Sequence, residues 1–228
     1  MKKKKPEMEM KDKIYSAAKT MFYERGYGKT TYKQLGEAVN ANSALIAYYY
    51  GSKGKLAVLV YNEYMNRIKN IVREQFHLNH LDYDVLAATA VEIRVHGNLM
   101  LGNRNLNQFY AEIMSENILV KEDAVNEAYF QELVAVCKLD LPPYKHKLLN
   151  YGDFGFRQAI GLAHQMGKID CSYKEFNDAS IETLLLLLRQ VDRIDEILTF
   201  SNEFQKKMPR LLVKKAFEIT YKQDHNRD

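Results

Sequence analysis

Lys53 stands directly after Ser52, at the point where a long amphipathic segment has to begin. A cation at a helix N-terminus is opposed by the helix dipole, and a phosphate partner would relieve that conflict. Just upstream, Tyr48-Tyr49-Tyr50 places consecutive phenols that either pack in a core or touch a nucleic acid. Lys2–Lys5 is a run of cations, in its simplest form a solvated tail and otherwise an arm for phosphates or the minor groove.

Bond-making chemistry has less support. Glu92 and His96 lie one helical turn apart. A carboxylate di-iron bundle, however, needs paired Glu-x-x-His motifs and further glutamates, which the chain lacks. His77 and His80 could face one way near a helix end, but surface histidines are the simpler reading, and a metal effector stays a minor alternative. There is no P-loop, no G-x-S-x-G and no H-E-x-x-H. No enzymatic activity, metal or cofactor is therefore expected.

The 228 residues hold 33 Lys+Arg against 29 Asp+Glu, a net charge of +4, and 46% are apolar. That balance describes a globular chain and excludes a disordered one. The leucine run Leu184–Leu188 falls far short of the roughly 20 residues a membrane span requires. Two cysteines, Cys137 and Cys171, are too few for a disulfide framework or a cysteine zinc site. The lysine run has no apolar region behind it and does not read as a signal peptide, so a cytoplasmic location is expected. The net charge hides an asymmetry. Residues 1–70 hold 14 Lys+Arg and 6 Asp+Glu, a net of +8, while residues 71–228 hold 19 and 23, a net of −4. A basic head on a mildly acidic body suits a polyanion partner.

The elements that must position these groups are helices. Ile14, Ala17, Ala18, Met21 and Phe22 follow the amphipathic spacing, and Gly26 suits the C′ position, which predicts a helix over about 10–25. Thr31 with Gln34 fits a capping box, opening a short helix that ends near Asn40. Asn42 or Ser43 can cap a third, from Ala44 to about Tyr49, and Gly51 ends it. A fourth runs from Lys53 to about Phe76. Further helices are predicted over about 82–101, 103–117, 121–138, 144–167, 174–199 and 202–222, and no strand-like alternation is sustained. The fold class is all-α. The division is residues 1–52, with a basic tail 1–9, and residues 53–228.

Short helices with tight turns on a basic segment match helix-turn-helix geometry, in which the third helix enters the major groove. Residues 12–60 resemble the DNA-binding domain of the TetR family of bacterial transcriptional regulators. The resemblance rests on Ile14, Ala17, Ala18, Phe22, Gly26, Tyr27, Thr30, Thr31, Leu35, Ala38 and on the block Leu45-Ile46-Ala47-Tyr48-Tyr49-Tyr50-Gly51-Ser52-Lys53 with Leu56. It implies that Asn42–Tyr49 is the recognition helix. It further implies that Ser43, Ala44 and Leu45 contact bases, and that Thr31, Tyr49 and Lys53 contact the DNA backbone. Tyr32 and Lys33 would reach the groove edge or phosphates, and Tyr50 would be a core aromatic. Tyr48 stays open between packing and DNA. Departures from the family pattern are Asn40 for the usual glycine, Asn42 for a small hydroxyl residue, and Ala47 for a DNA-touching tyrosine. Asn tolerates the left-handed conformation and also caps helices, so the first two keep the fold.

The body is strongly apolar near its end. Ile181, Leu184, Leu185, Leu188, Val191, Ile194 and Leu198 line one surface, and Leu186 and Leu187 widen it. A helix with two apolar sides needs two partners. The family resemblance implies a four-helix homodimer interface here, with Leu184, Leu188, Val191, Phe204, Met208 and Leu212 as its candidates. It also implies a pocket for a small-molecule effector in the middle helices, with His96, Asn107, Tyr110, Glu112, Tyr129, Arg157 and His164 as candidate liners. The expected function is a homodimeric, ligand-responsive repressor that binds a palindromic double-stranded DNA operator and is released by a small molecule. The alternative is a helical small-molecule-binding or interaction protein with no DNA role. Deleting residues 2–5 is expected to reduce the salt slope of DNA binding by roughly 0.9 per lost phosphate contact. An unchanged slope in a salt titration would remove the tail from the mechanism.

Overall fold

The computed structural model describes residues 6–125 and 127–222, and the lysine run 2–5 lies outside them. The helices are α1 (Pro6–Arg25), α2 (Tyr32–Ala38), α3 (Ala44–Tyr50), α4 (Lys53–Leu78), α5 (Val85–Leu101), α6 (Arg104–Ser115), α7 (Ile118–Lys121), α8 (Glu127–Val136), α9 (Pro143–Gln165), α10 (Tyr173–Leu187) and α11 (Ile194–Lys207). Strands β1 (Leu211–Val213) and β2 (Ile219–Tyr221) pair antiparallel, with Leu212 opposite Thr220. No helix among the described residues is long and apolar enough to cross a membrane.

The chain packs as two compact units. One gathers Met1–Asn66, Met100–Ala124 and Leu211–Asp228, and the other Arg67–Leu99 and Val125–Arg210. The expected boundary after residue 52 is a division by function; packing draws a different line, because α6, α7 and the hairpin join the N-terminal helices.

In the first unit, Ile14, Ala18 and Phe22 of α1 are fully buried together with Leu35, Ile46 and Leu56. Phe22 stacks on Phe109 of α6, with ring centroids 5.6 Å apart, and Phe217 of the hairpin turn closes on Phe109 at 4.7 Å. Asn103 ties three segments together. Its Oδ1 accepts from Leu106 N and caps α6, while its Nδ2 donates to Tyr23 Oη and to Val213 O.

In the second unit, Leu86, Phe130, Leu133, Ile181, Leu184, Leu185, Leu188 and Ile197 form one apolar core. Arg94 crosses it from α5. Its side chain is 3% exposed; it pairs with Asp178 of α10 at 2.6 Å and donates to Ser201 Oγ and Leu198 O of α11. Burial acts to raise the Asp178 carboxyl, but hydrogen bonds from Lys174 and Arg94 outweigh it and hold the group below the ordinary carboxylate range.

Two expected helices are corrected. The stretch 174–199 breaks where Arg189 turns left-handed (φ 56), and Gln190 N donates back to Leu185 O, closing α10. Asp195 and Glu196 then open α11 with negative charge at its N-terminus, which the dipole favours. The stretch 202–222 is not one helix. Pro209 forces the residue before it out of the helical region, and Met208 is extended (φ −67, ψ 148). Residues 211–221 form the hairpin instead. Arg94→Ala is expected to cost about 3 kcal/mol in chemical denaturation, the low end for breaking a buried pair, because Asp178 keeps Lys174. A loss under about 1 kcal/mol would show that Arg94 does not hold these helices.

Candidate nucleic-acid interface

The segment from Gly26 to Lys53 is built from local signals. Gly26 takes φ +83 and ends α1. Thr31 Oγ1 accepts from Gln34 N at 3.2 Å and Gln34 Oε1 accepts from Thr31 N at 3.0 Å, the reciprocal cap that the sequence predicts. Asn40 is left-handed (φ 51), as expected of an Asn standing in for glycine. The cap of α3 comes from Asn42, whose Oδ1 accepts from Ala44 N at 2.9 Å, and not from Ser43.

Helix α3 has two faces. Ile46 and Tyr50 are buried, and Tyr50 Oη donates to Lys11 O at 2.7 Å, so Tyr50 is a core aromatic. Ala44, Ala47 and Tyr48, spaced as one helical stripe, face solvent, and Tyr48 is 71% exposed. Ser43, Leu45 and Tyr49 flank this stripe half-buried, and Asn42 is exposed. On α2, Thr31, Tyr32 and Lys33 are all exposed. The candidates on α2 and α3 thus line one unit's surface around Tyr48.

Lys53 binds within the chain. Its Nζ donates to Tyr27 O at 2.9 Å and Thr30 O at 3.0 Å, and it lies 4.0 Å from the Tyr27 ring centroid. Burial lowers its pKa, with Glu116 and Glu112 pulling the other way. Carbonyl oxygens within the chain relieve the conflict with the helix dipole. Its backbone N–H donates to Tyr32 Oη at 2.6 Å, so Tyr32 also braces the start of α4.

Contacts that no local sequence pattern announces fix this surface from behind. Glu112 accepts from Gly28 N at 2.8 Å, and Ser52 Oγ donates to Glu122 at 2.6 Å. A Cβ at Gly54 would lie 2.2 Å from Glu122 Oε1, and one at Gly36 would lie 2.7 Å from Ala41 O. Both glycines sit inside helices, where the roughly 1 kcal/mol penalty relative to Ala is itself a signal of close approach.

The effector candidates separate. Asn107, Tyr110 and Glu112 belong to the first unit, and His96, Tyr129, Arg157 and His164 to the second. His164 Nε2 contacts Cys171 O at 2.9 Å and its ring packs on Tyr173 and Phe176, a role in tying the end of α9 to α10. His96, Tyr129 and Arg157 do come together. Burial, then Arg157, pushes the His96 pKa down to about 4, and Arg157 also acts on Tyr129. Glu92 joins them. Burial pushes its pKa up to about 7 despite Lys69 and a hydrogen bond from Tyr129. Of the dimer candidates, Leu184, Leu188 and Phe204 are buried in the chain's own interior. Val191 and Leu212 are exposed and Met208 is half-buried.

Residues 14–60 match the family model described as bacterial regulatory proteins, tetR family. No curated protein matches the chain significantly. Among solved structures, it is similar to RolR without ligand at 16% identity and a TM-score of 0.53, over 82% of this chain and 96% of that one. It is similar to RolR in complex with resorcinol at 16% identity and 0.52, over 85% and 94%. A tetR-family transcriptional regulator from Streptomyces coelicolor is similar at 15% identity and 0.47, over 89% and 90%. Gly36→Ala is expected to cost about 1–3 kcal/mol through overpacking. Gly155→Ala, where a Cβ meets nothing within 4 Å, should gain up to about 1 kcal/mol. Equal stabilities by urea denaturation would contradict the close approach at Gly36.

Proposed function

We propose, from the match of residues 14–60 to the tetR family of bacterial regulatory proteins, that this chain belongs to that family and is a ligand-responsive transcriptional repressor. It binds a palindromic operator as a homodimer and is released by a small molecule. Residues 1–52 carry DNA recognition, and residues 53–228 carry effector binding and dimerisation. The observation that carries this reading is the outward stripe Ala44, Ala47 and Tyr48 on a capped short helix, within a segment of net charge +8.

Thr31, Tyr32, Lys33, Asn42, Ser43, Ala44, Leu45, Tyr48 and Tyr49 form the DNA surface. Tyr48 and the small Ala44 and Ala47 reach the groove, and Lys33 and Thr31 reach phosphates. Lys53 acts from behind by holding the turn. Two copies present two recognition helices to two half-sites, and outward apolar side chains such as Leu186 and Val191 suit a contact between copies. The complex of RolR with resorcinol pairs the same fold with a small organic ligand, which supports the effector half of the reading. Effector binding favours a dimer geometry that no longer matches half-site spacing, a population shift. The coupling is then reciprocal.

Selection of genomic fragments with the purified protein, followed by titration at two salt concentrations, tests the DNA reading. Tyr48→Ala should weaken operator binding about tenfold or more, the scale of 1–3 kcal/mol for a base contact, with an unchanged melting temperature. Absence of binding to any fragment would sink the reading.

A further inference from the structure

The second unit holds polar groups that the DNA surface does not use. On α5, Thr89, Glu92 and His96 lie at helical spacing on one stripe, and on α9 so do Asn150, Asp153 and Arg157. Tyr129 of α8 meets the first stripe, and the charge of Arg157 in the second acts on both Tyr129 and His96. The Tyr129 hydroxyl meets Thr89 Oγ1, it hydrogen-bonds Glu92, and Lys69 Nζ lies 3.5 Å from the Tyr129 ring centroid. Arg157 pairs with Asp153 Oδ2. Thr89, Glu92, Asn150 and Asp153 are all more than nine-tenths buried.

Asn150 and Asp153 each carry an open atom. Among the described residues, Asp153 Oδ1 and Asn150 Nδ2 are buried and have no hydrogen-bond partner. Leaving a buried polar atom unsatisfied is costly, so such a pair invites a group that completes it. One atom accepts and the other donates, and they sit one turn apart on the same helix. A hydroxyl can donate to the carboxylate and accept from the amide at once. Charge counts against ionic ligands. The Asp153 carboxylate is already neutralised by Arg157, and Glu92 faces Lys69. An anion would meet the open carboxylate oxygen, and a cation would meet the guanidinium and the ammonium. The Arg157 side chain, 38% exposed, is the part of the cluster that borders solvent.

We propose that Asn150 and Asp153 are the anchoring pair of an effector site between α5, α8 and α9, and that the effector is a small uncharged molecule bearing a hydroxyl group. This rests on the reading of the chain as a ligand-responsive regulator and names the chemical class that the site takes.

The test uses the full chain without DNA, so that it fails or succeeds independently of operator binding. Benzyl alcohol, phenol, cyclohexanol and hexane-1,2-diol are titrated by calorimetry and thermal shift. Benzoate, cyclohexanecarboxylate, benzylammonium and cyclohexylammonium are run as charged counterparts. At least one alcohol should raise the melting temperature while the charged counterparts do not. Asn150→Leu and Asp153→Asn should each weaken that binding tenfold or more, and Tyr48→Ala should leave it unchanged. Both variants are checked for an intact melt without ligand; Asn150→Ser is the substitute if Asn150→Leu does not fold. Binding of the carboxylates or ammonium ions in preference, binding indifferent to both substitutions, or no binding by any alcohol would each overturn the proposal.

Discussion

The ammonium of Lys53 is the constraint on which the surface proposed to face DNA depends. It draws together the turn after α1, through Tyr27 O, and the entry to α2, through Thr30 O, while its own backbone N–H is held by the Tyr32 phenol. A charge placed against a helix N-terminus is unfavourable by itself. Here close carbonyls, an aromatic face and the carboxylates of Glu116 and Glu112 make the placement tolerable. Around it, Glu112 and Glu122 hold Gly28 and Ser52. Lys53, Glu112 and Glu122 thus fix the flanks of α3 from behind the proposed recognition surface, while Tyr32 lies on it.

This division of labour explains what the amino-acid sequence discloses. The Thr31–Gln34 cap, the left-handed Gly26 and Asn40, and the Asn42 cap are all interactions within a few residues, so spacing and residue type reveal them. The burial of Tyr50 and exposure of the Ala44–Tyr48 stripe follow from a helical period. The partners of Lys53 lie more than twenty positions upstream, and Ser52 and Glu122 are seventy apart. No local pattern encodes such pairs. The same limit applies to Leu184, Leu188 and Phe204, whose apolar type demands burial without saying which copy of the chain supplies it.

The differences near the end of the chain have another source. Residues 202–222 carry enough apolar side chains to satisfy a helical template, and that template hides the punctuation. Pro209 is the decisive residue, since it disfavours helix at Met208 and starts a segment whose residues pair across a hairpin. At 174–199 the leucine run masks a left-handed break at Arg189. In the second unit, Glu92 and His96 are visible in the sequence as a one-turn pair, but their partners on α8 and α9 are not. Asn150 and Asp153 have a three-residue spacing that becomes meaningful only once their burial is known.

The hairpin also bears on the order in which the chain matures. Phe217 closes on Phe109 and Tyr23, and Val213 O is bound by Asn103, so the first unit is completed by residues roughly two hundred positions beyond its first helix. Contacts of such sequence separation form late and slow folding. A growing chain therefore emerges with its N-terminal helices in place but their last aromatic neighbour unsynthesised. The surface beneath Tyr23 and Phe109 stays wet until residues 211–221 arrive. Chains cut short before Pro209 would expose that apolar patch, a hazard for aggregation during synthesis.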